Sequence, residues 1–409
     1  MAPQHRTGLI ATGVAAITLI GTAAYAWPCP RLDPPTGPYA LGTTTRHWVD
    51  HSRPDITIPD AGVPREVVAQ VWYPAKAGAS GRRARYVEDR AFLDASADLA
   101  RVPRWLLAGI GAAEVTAIVD APPAAGRFPV LVYATGLLGS RSVSTFQVQE
   151  LASHGYVVVA LDQPGASGAV TLADGRVVPG IGAKPVFDPL LYQGIEPRDP
   201  APTLHGRPLP DGIAAQLAQD VSFALDQLAA WATAPDGLGP HLDLDRTGAF
   251  GVSLGGTVVA EAAARDERIK ATLVLESPLT RAATERGLPH PVMVVTRNPE
   301  AMRRERARTG GWTDHEIDVH QRTMRSVVDQ AAAGQGWFVR IDGLSHLDFT
   351  DVPAWTPLER LLGWSGPLDG RRGHTLINAL SLSFFDHVLR DGPAPESRAD
   401  EWPEVIVEL

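Results

Sequence analysis

Cysteine is almost missing from this chain: Cys29 is the only one, so no disulfide can close within it and no cysteine-rich zinc or iron-sulfur centre can be built. Lysine is nearly as scarce, with three (Lys76, Lys184, Lys270) among 37 basic residues, and the excess of acidic residues leaves a net charge of -9. A surface of that sign lacks the basic face that phosphate backbones require, which removes nucleic acid from the expected partners. The sequence holds neither a P-loop nor a complete dinucleotide fingerprint, so no phosphate-bearing cofactor is implied. One segment, His315-Glu316-Ile317-Asp318-Val319-His320, has the look of a zinc-protease helix. Its histidines are five residues apart instead of four, which turns the second imidazole about 140° around a helix of 3.6 residues per turn, and no metal is expected from it. The reading is therefore of a chain without cofactor or metal.

Apolar residues, at 44%, are abundant enough for a large core and exclude wholesale disorder. Long hydrophobic runs occur only at the start. His5 and Arg6 precede a nearly uninterrupted apolar stretch from Gly8 to Trp27, and Ala24-Tyr25-Ala26 supplies the small residues of a signal-peptidase site. Residues 1–26 are expected to be a signal peptide cleaved after Ala26, or an N-terminal membrane anchor, since residues 8–27 just suffice to cross roughly 30 Å of hydrocarbon. Both alternatives put the body outside the cytoplasm, secreted or held at the membrane by that segment. Trp27-Pro28 before Cys29 lacks the small residues of a lipidation site, so Cys29 reads as an unpaired surface thiol. Residues 27–40, rich in proline, read as a linker, 41–395 as the catalytic domain and 396–409 as a C-terminal tail.

Strands are predicted at Val67 to Tyr73, Val130 to Ala134, Tyr156 to Leu161, Thr247 to Gly251, Ala271 to Leu275, Val292 to Thr296 and Trp337 to Ile341, most of them short, continuous apolar runs as expected of parallel strands covered on both faces. Between them Ile213, Leu217, Val221, Leu225 and Leu228 form one helical stripe with Asp211 at the N-cap position, and Thr375 to Leu389 predicts a closing helix. The alternation predicts one doubly wound, mostly parallel α/β sheet. Gln163 to Asp211, crowded with Gly and Pro, follows the carboxyl end of a central strand, where ligands of open α/β sheets bind, and reads as an insertion over the site. Asp174-Gly175 inside it predicts a hairpin turn. Glu300 to Gly336 reads as a solvated helical excursion, and Phe92 to Ala113, with Trp105, Leu106, Leu107 and Ile110, as a packed helix with lipid contact as the alternative.

Gly251-Val252-Ser253-Leu254-Gly255 matches the nucleophile elbow, a strand-to-helix turn so tight that small residues must flank the serine. A predicted strand before it and the run Val258, Val259, Ala262, Ala263 after it supply the required setting, against the alternative that Ser253 merely caps the helix. A serine hydroxyl needs a base, and the base an acid to fix its tautomer, in chain order Ser, acid, His. His346, in Asp342-Gly343-Leu344-Ser345-His346, is the one later histidine in a short loop after a late strand, and as a neutral base it predicts that kcat/KM rises through an apparent pKa of about 6 to 7. Glu276, at the end of the strand Ala271 to Leu275, is the expected acid. Glu300 is its rival, pushed off the next strand end by Arg297-Asn298-Pro299. The oxyanion donors are expected to be the N–H groups of Leu254 and of Leu137, the latter in Thr135-Gly136-Leu137-Leu138-Gly139.

Phe128-Pro129-Val130-Leu131-Val132-Tyr133-Ala134-Thr135-Gly136-Leu137, Leu151-Ala152-Ser153-His154-Gly155-Tyr156, the elbow with Gly256, and Ser345-His346-Leu347-Asp348-Phe349 resemble the platelet-activating factor acetylhydrolase family of α/β-hydrolases. Val71-Trp72-Tyr73-Pro74 and Phe384-Phe385-Asp386 extend the resemblance over roughly Gly37 to Arg390. It implies an α/β-hydrolase fold and a triad of Ser253, Glu276 and His346. In that family the oxyanion loop usually begins His-Gly, here Thr135-Gly136, and the acid is usually Asp, here Glu276. The expected activity is that of an exported serine carboxylic-ester hydrolase acting through an acyl-enzyme on short acyl esters, platelet-activating-factor-like or oxidised phospholipids among them. The expected partners are thus a small-molecule or lipid ester and, through the N-terminal segment, a membrane. The alternatives are a polyester or triglyceride hydrolase on the same triad, and a catalytically inactive surface binding protein.

Overall fold

The computed structural model describes residues 27–60, 62–309, 311–331 and 335–408. The expected export segment, residues 1–26, lies outside the described residues. Among these no helix is long and apolar enough to cross a membrane.

In chain order the strands are β1 (Ala40–Pro54), β2 (Pro64–Ala75), β3 (Arg83–Arg85), β4 (Glu114–Val119), β5 (Phe128–Ala134), β6 (Val157–Asp162), β7 (Ala169–Thr171), β8 (Val177–Pro179), β9 (Thr203–Leu204), β10 (Arg207–Pro208), β11 (Leu242–Val252), β12 (Ala271–Leu275), β13 (Val292–Thr296), β14 (Gly336–Ile341) and β15 (Val405–Glu408). Eleven form one sheet in the order β15-β14-β13-β12-β11-β5-β6-β2-β1-β4-β3. From β6 through β5, β11, β12 and β13 to β14 every neighbour is parallel, whereas β2 joins β6 and β15 joins β14 antiparallel. All seven predicted strands lie in this sheet. Residues of β5, β6, β12 and β13 are buried throughout, as continuous apolar runs in a sheet covered on both faces must be.

The helices that concern the site are α1 (Arg90–Ala100), α2 (Thr145–Ser153), α3 (Lys184–Tyr192), α4 (Gly212–Ala232), α5 (Leu254–Ala263), α6 (Pro299–Thr309), α7 (Asp314–Gln330) and α8 (Gly370–Arg390). The stripe Ile213, Leu217, Val221, Leu225, Leu228 is the buried face of α4, and Asp211 stands at its N-cap position without a side-chain capping bond. The layered result, a mostly parallel sheet with helices on both faces, is the α/β-hydrolase fold.

Four segments differ from expectation. Residues 27–40 are a strap bound to the body, not a free linker: the Cys29 N–H donates to Trp355 O at 2.7 Å, Arg31 N–H to Ala354 O at 3.0 Å and Thr36 N–H to Glu150 Oε2 at 2.8 Å. Proline removes donors, but the remaining N–H groups still find acceptors. Residues 396–409 are not a tail throughout, because β15 completes the sheet edge with Val405 facing Ile341 in register. Its three apolar residues, flanked by charges, are too short a period for the sequence to advertise. Phe92 to Ala113 is broken into α1, a 3-10 turn and a five-residue helix, leaving Leu99 and Trp105 about three-fifths exposed, at 59% and 62%. Glu300 to Gly336 holds two helices, and α7 buries Ile317, Val319, His320, Met324 and Val327 along one face, so it is packed, not simply solvated.

Candidate active site

β11 runs into α5 at Ser253, whose φ of 55° and ψ of -127° lie where side chains are rarely tolerated. The neighbours explain the glycines. A Cβ on Gly251 would stand 2.4 Å from the Gly255 carbonyl, and one on Gly255 would stand 2.0 Å from Ala134 O. The turn is held by Ser253 N–H donating to Leu275 O at 2.9 Å and by the Ser277 hydroxyl donating to Ser253 O. Although Ser253 occupies the N-cap position, its side chain makes no capping bond, so Oγ is not spent on the helix.

The loop Thr135 to Gly139 passes directly over this serine: a Cβ on Gly136 would stand 3.3 Å from Ser253 Cβ and 3.8 Å from Oγ. Leu138, at φ 58°, donates its N–H to Ala166 O at 2.8 Å, and Gly168 N–H donates to Gly139 O at 2.9 Å, so the Gly/Pro-rich insertion braces the loop from behind. Arg141, ion-paired with the buried Asp162, fixes its far end. Among the described residues, neither Leu137 N–H nor Leu254 N–H has a protein acceptor. Thr135, which stands where the resembling family carries histidine, is buried and fits against Gly139.

Glu276 follows β12 with φ 53°, a second non-glycine residue forced into the left-handed region at this sheet edge. Its carboxylate is wholly buried. Thr296 Oγ1 donates to Oε2 at 2.9 Å, Arg297 N–H to Oε2 at 3.1 Å and Arg297 Nε to Oε1 at 2.8 Å. Burial pushes this carboxyl above its ordinary value, while Arg297 and Thr296 oppose the shift. Three of roughly four lone-pair sites are thereby filled, and the one left is on Oε1.

His346 opens a 3-10 turn after β14. Asp348 is the anchor of this loop, accepting from Ser345 N–H at 2.6 Å, Ser365 Oγ at 2.6 Å and Gly366 N–H at 2.9 Å. The loop continues to Asp351, which accepts the N–H groups of Thr145 and Phe146 at 2.7 and 3.0 Å and the Tyr86 hydroxyl at 2.9 Å, joining the histidine loop to the start of α2. The His346 ring meets the edge of Trp312, with centroids 4.7 Å apart, and its Nδ1 is buried without a partner. A buried polar atom left unpaired costs about 1–3 kcal/mol, which marks this ring as unfinished by folding alone.

The structure thus brings Ser253, Gly136 and Leu137 together and sets Glu276 one residue beyond Leu275, the acceptor of the Ser253 N–H. No hydrogen bond joins His346 to Ser253 or to Glu276 among the described residues. The link between acid and base runs instead through residues that the sequence reading passed over. Arg297, fully buried, pairs with both Glu276 and Glu305, and Glu305 Oε2 accepts the His346 N–H at 3.1 Å. Glu300, the rival acid, is exposed on the first turn of α6, its N–H donating to Asn298 Oδ1 at 3.2 Å. His315 is exposed and paired with Glu196 at 2.7 Å, while His320 is buried beside Trp312, so the two do not converge. The insertion borders this side of the site too, since Lys184 of α3 pairs with Glu316 of α7 at 2.7 Å and the Tyr192 hydroxyl lies 3.4 Å from His320 Nε2.

Burial, reinforced by the Arg297 cation, pulls the His346 imidazole down to about 3. A base is competent when neutral, so the rising limb of kcat/KM is expected below the ordinary imidazole value of about 6.5, rather than between 6 and 7. A pH profile of the free enzyme checks this, and a limb at 6.5 or above would contradict it.

Residues 32–175 match the family described as platelet-activating factor acetylhydrolase, isoform II. No curated protein matches the chain in sequence. Among solved structures, a ferulic acid esterase from Streptomyces cinnamoneus is similar over 92% of this chain and 99% of its own, with 25% identity and a TM-score of 0.69. By its fold the chain is an α/β-hydrolase, similar over residues 32–175 to an acetylhydrolase family and over most of its length to an esterase structure.

Proposed function

We propose that the chain is an exported serine carboxylic-ester hydrolase that works through an acyl-enzyme on short acyl esters, platelet-activating-factor-like and oxidised phospholipids among them. The observation that carries this reading is the strained Ser253, its hydroxyl unspent, beneath a braced loop that presents an unpaired N–H. Ser253 Oγ attacks the ester carbonyl carbon while His346 takes its proton. The oxyanion rests on the N–H groups of Leu137 and Leu254, and the leaving alcohol departs with that proton. Water, deprotonated by the same imidazole, then attacks the acyl-serine, and the imidazolium returns its proton to Ser253 Oγ as the acid is released. Glu276 offers its remaining lone pair to the histidine. The names of the matching family and of the structural neighbour, an acetylhydrolase and an esterase, agree with this chemistry. A fluorophosphonate probe is expected to label Ser253, and p-nitrophenyl acetate and butyrate to be cleaved in preference to the decanoate. Lack of labelling would sink the enzyme reading, and a preference for long chains or polyester particles would sink the substrate class.

The same proposal places the body at the outer face of a membrane. The Trp27 ring stacks on Trp105 with centroids 5.3 Å apart, and the Cys29 N–H donates to Trp355 O. Trp105, a partner in the first of these contacts, Leu99, six residues before it in the chain, and Leu358, Leu361 and Leu362, a few residues beyond Trp355, are exposed large apolar side chains. Trp27, the last residue of the apolar segment, thus stacks on an exposed apolar side chain, which agrees with a body held at a bilayer. Fractionation of an exporting host tests this: the chain is expected outside the cytoplasm, in the membrane fraction if residues 1–26 are retained and soluble if they are cleaved. Recovery in the cytoplasm would refute it.

A further inference from the structure

We propose that Arg297 and Glu305 are positioning residues of the ester-hydrolysing site, a clamp of carboxylate, guanidinium and carboxylate that holds Glu276 and the His346 loop as one rigid unit. This deepens the reading of Ser253, Glu276 and His346 given above and rests on it. Four observations carry it. Arg297 follows β13 directly and its side chain is buried to 1% exposure, where an arginine is found only when paired. Its backbone N–H and Nε both bind Glu276, fixing both oxygens of that carboxylate against β13 and leaving the last lone pair of Oε1 as the place for one more donor. Its Nη1 pairs with Glu305, whose Oε2 accepts the backbone N–H of His346 itself. Finally, Arg297 Nη2 and His346 Nδ1 are both buried and unpartnered within this cluster, whereas a network that serves stability alone has its buried atoms satisfied.

The extra methylene of Glu276 has a place in this arrangement. It carries the carboxylate out to the backbone N–H of Arg297, one residue beyond the end of the neighbouring strand, and the guanidinium then bridges to α6. The three charges sum to minus one. A single fixed cation would oppose the imidazolium that forms as the ester is attacked, and the second carboxylate offsets it. The other ionisable groups packed around His346 are His320 of α7, kept neutral by burial, and Asp348 of its own loop, while Arg340 of β14 donates to Arg297 O and pairs with Glu408.

The test uses the full chain, p-nitrophenyl butyrate and a fluorophosphonate probe, with kcat/KM and labelling rate followed against pH. Glu305 is partly exposed, so Glu305→Gln is expected to fold; it should lose about tenfold in kcat and move the rising limb to lower pH, because a negative charge near the imidazole is gone. Arg297→Gln should lose about a hundredfold and move the limb the opposite way, and Arg297→Lys, which keeps the charge, should leave the limb in place while activity falls. A folded Glu305→Gln with the limb and kcat of the wild type would overturn the clamp, as would Arg297→Gln and Arg297→Lys limbs that coincide. Wild type that neither cleaves the ester nor takes the probe would overturn the esterase reading, and the clamp with it. Labelled wild type with unshifted variants overturns the clamp alone.

Discussion

Replacing Ser253 by alanine is expected to lower kcat/KM for p-nitrophenyl butyrate by about 10⁴ to 10⁶ and to abolish fluorophosphonate labelling, while the thermal midpoint stays near that of the wild type. The size follows from the way a nucleophile, base and acid act as a unit, so that loss of the nucleophile alone costs nearly as much as loss of all three. The separation from stability follows from the geometry. The turn is held by the Ser253 backbone, donating to Leu275 O and accepting from Gly256 N–H at 2.9 Å, and the side chain caps nothing. Alanine must adopt the same φ of 55°, which serine already endures, so no new backbone strain is added. A variant that keeps a tenth of the activity would remove Ser253 from the nucleophile role, and one that unfolds would show that the hydroxyl is structural.

The parallel half of the sheet was legible because each strand is a closed apolar word: Ala271 to Leu275 or Val292 to Thr296 admits no other reading at that length and burial. The strand β1 was not. Its segment Thr43-Thr44-Thr45-Arg46-His47 is polar, and only the antiparallel partner β2, aligned from Ala40 opposite Ala75 to Asp50 opposite Arg65, makes it a strand. Positions at the sheet edge were legible where a strand end met a chemical residue type, as at Ser253, Glu276 and His346. Arg297 and Glu305 were hidden for the opposite reason. An arginine after a strand and a glutamate in a charged helix read as solvated surface, and only the fold shows the first to be fully buried between two carboxylates.

Which carboxylate serves His346 has a clear expected answer in activity. Glu276→Gln keeps the shape of the side chain and removes the charge that would stabilise the imidazolium, and kcat/KM is expected to fall by roughly 10² to 10⁴. The amide has two donors where the carboxylate had only acceptors, and Oε2 of Glu276 receives Thr296 Oγ1 and Arg297 N–H together. One end of the amide must therefore meet a donor with a donor, or turn its oxygen away from Arg297 Nε. Either way Arg297 keeps Glu305 as its only charged partner. Glu276→Asp preserves the charge and retracts it by one methylene, which sacrifices part of the Thr296 and Arg297 contacts, so its activity should fall between the wild type and Glu276→Gln. Glu300→Gln should change kcat/KM by less than about twofold, because that carboxylate is exposed at the start of α6 and takes no part in the cluster. The comparison is read at a pH above the rising limb, with circular dichroism to establish that each variant is folded. Should Glu300→Gln be the crippling change while Glu276→Gln stays near wild type, the acid belongs to the strand after β12, and Glu276 is only the counter-ion of Arg297.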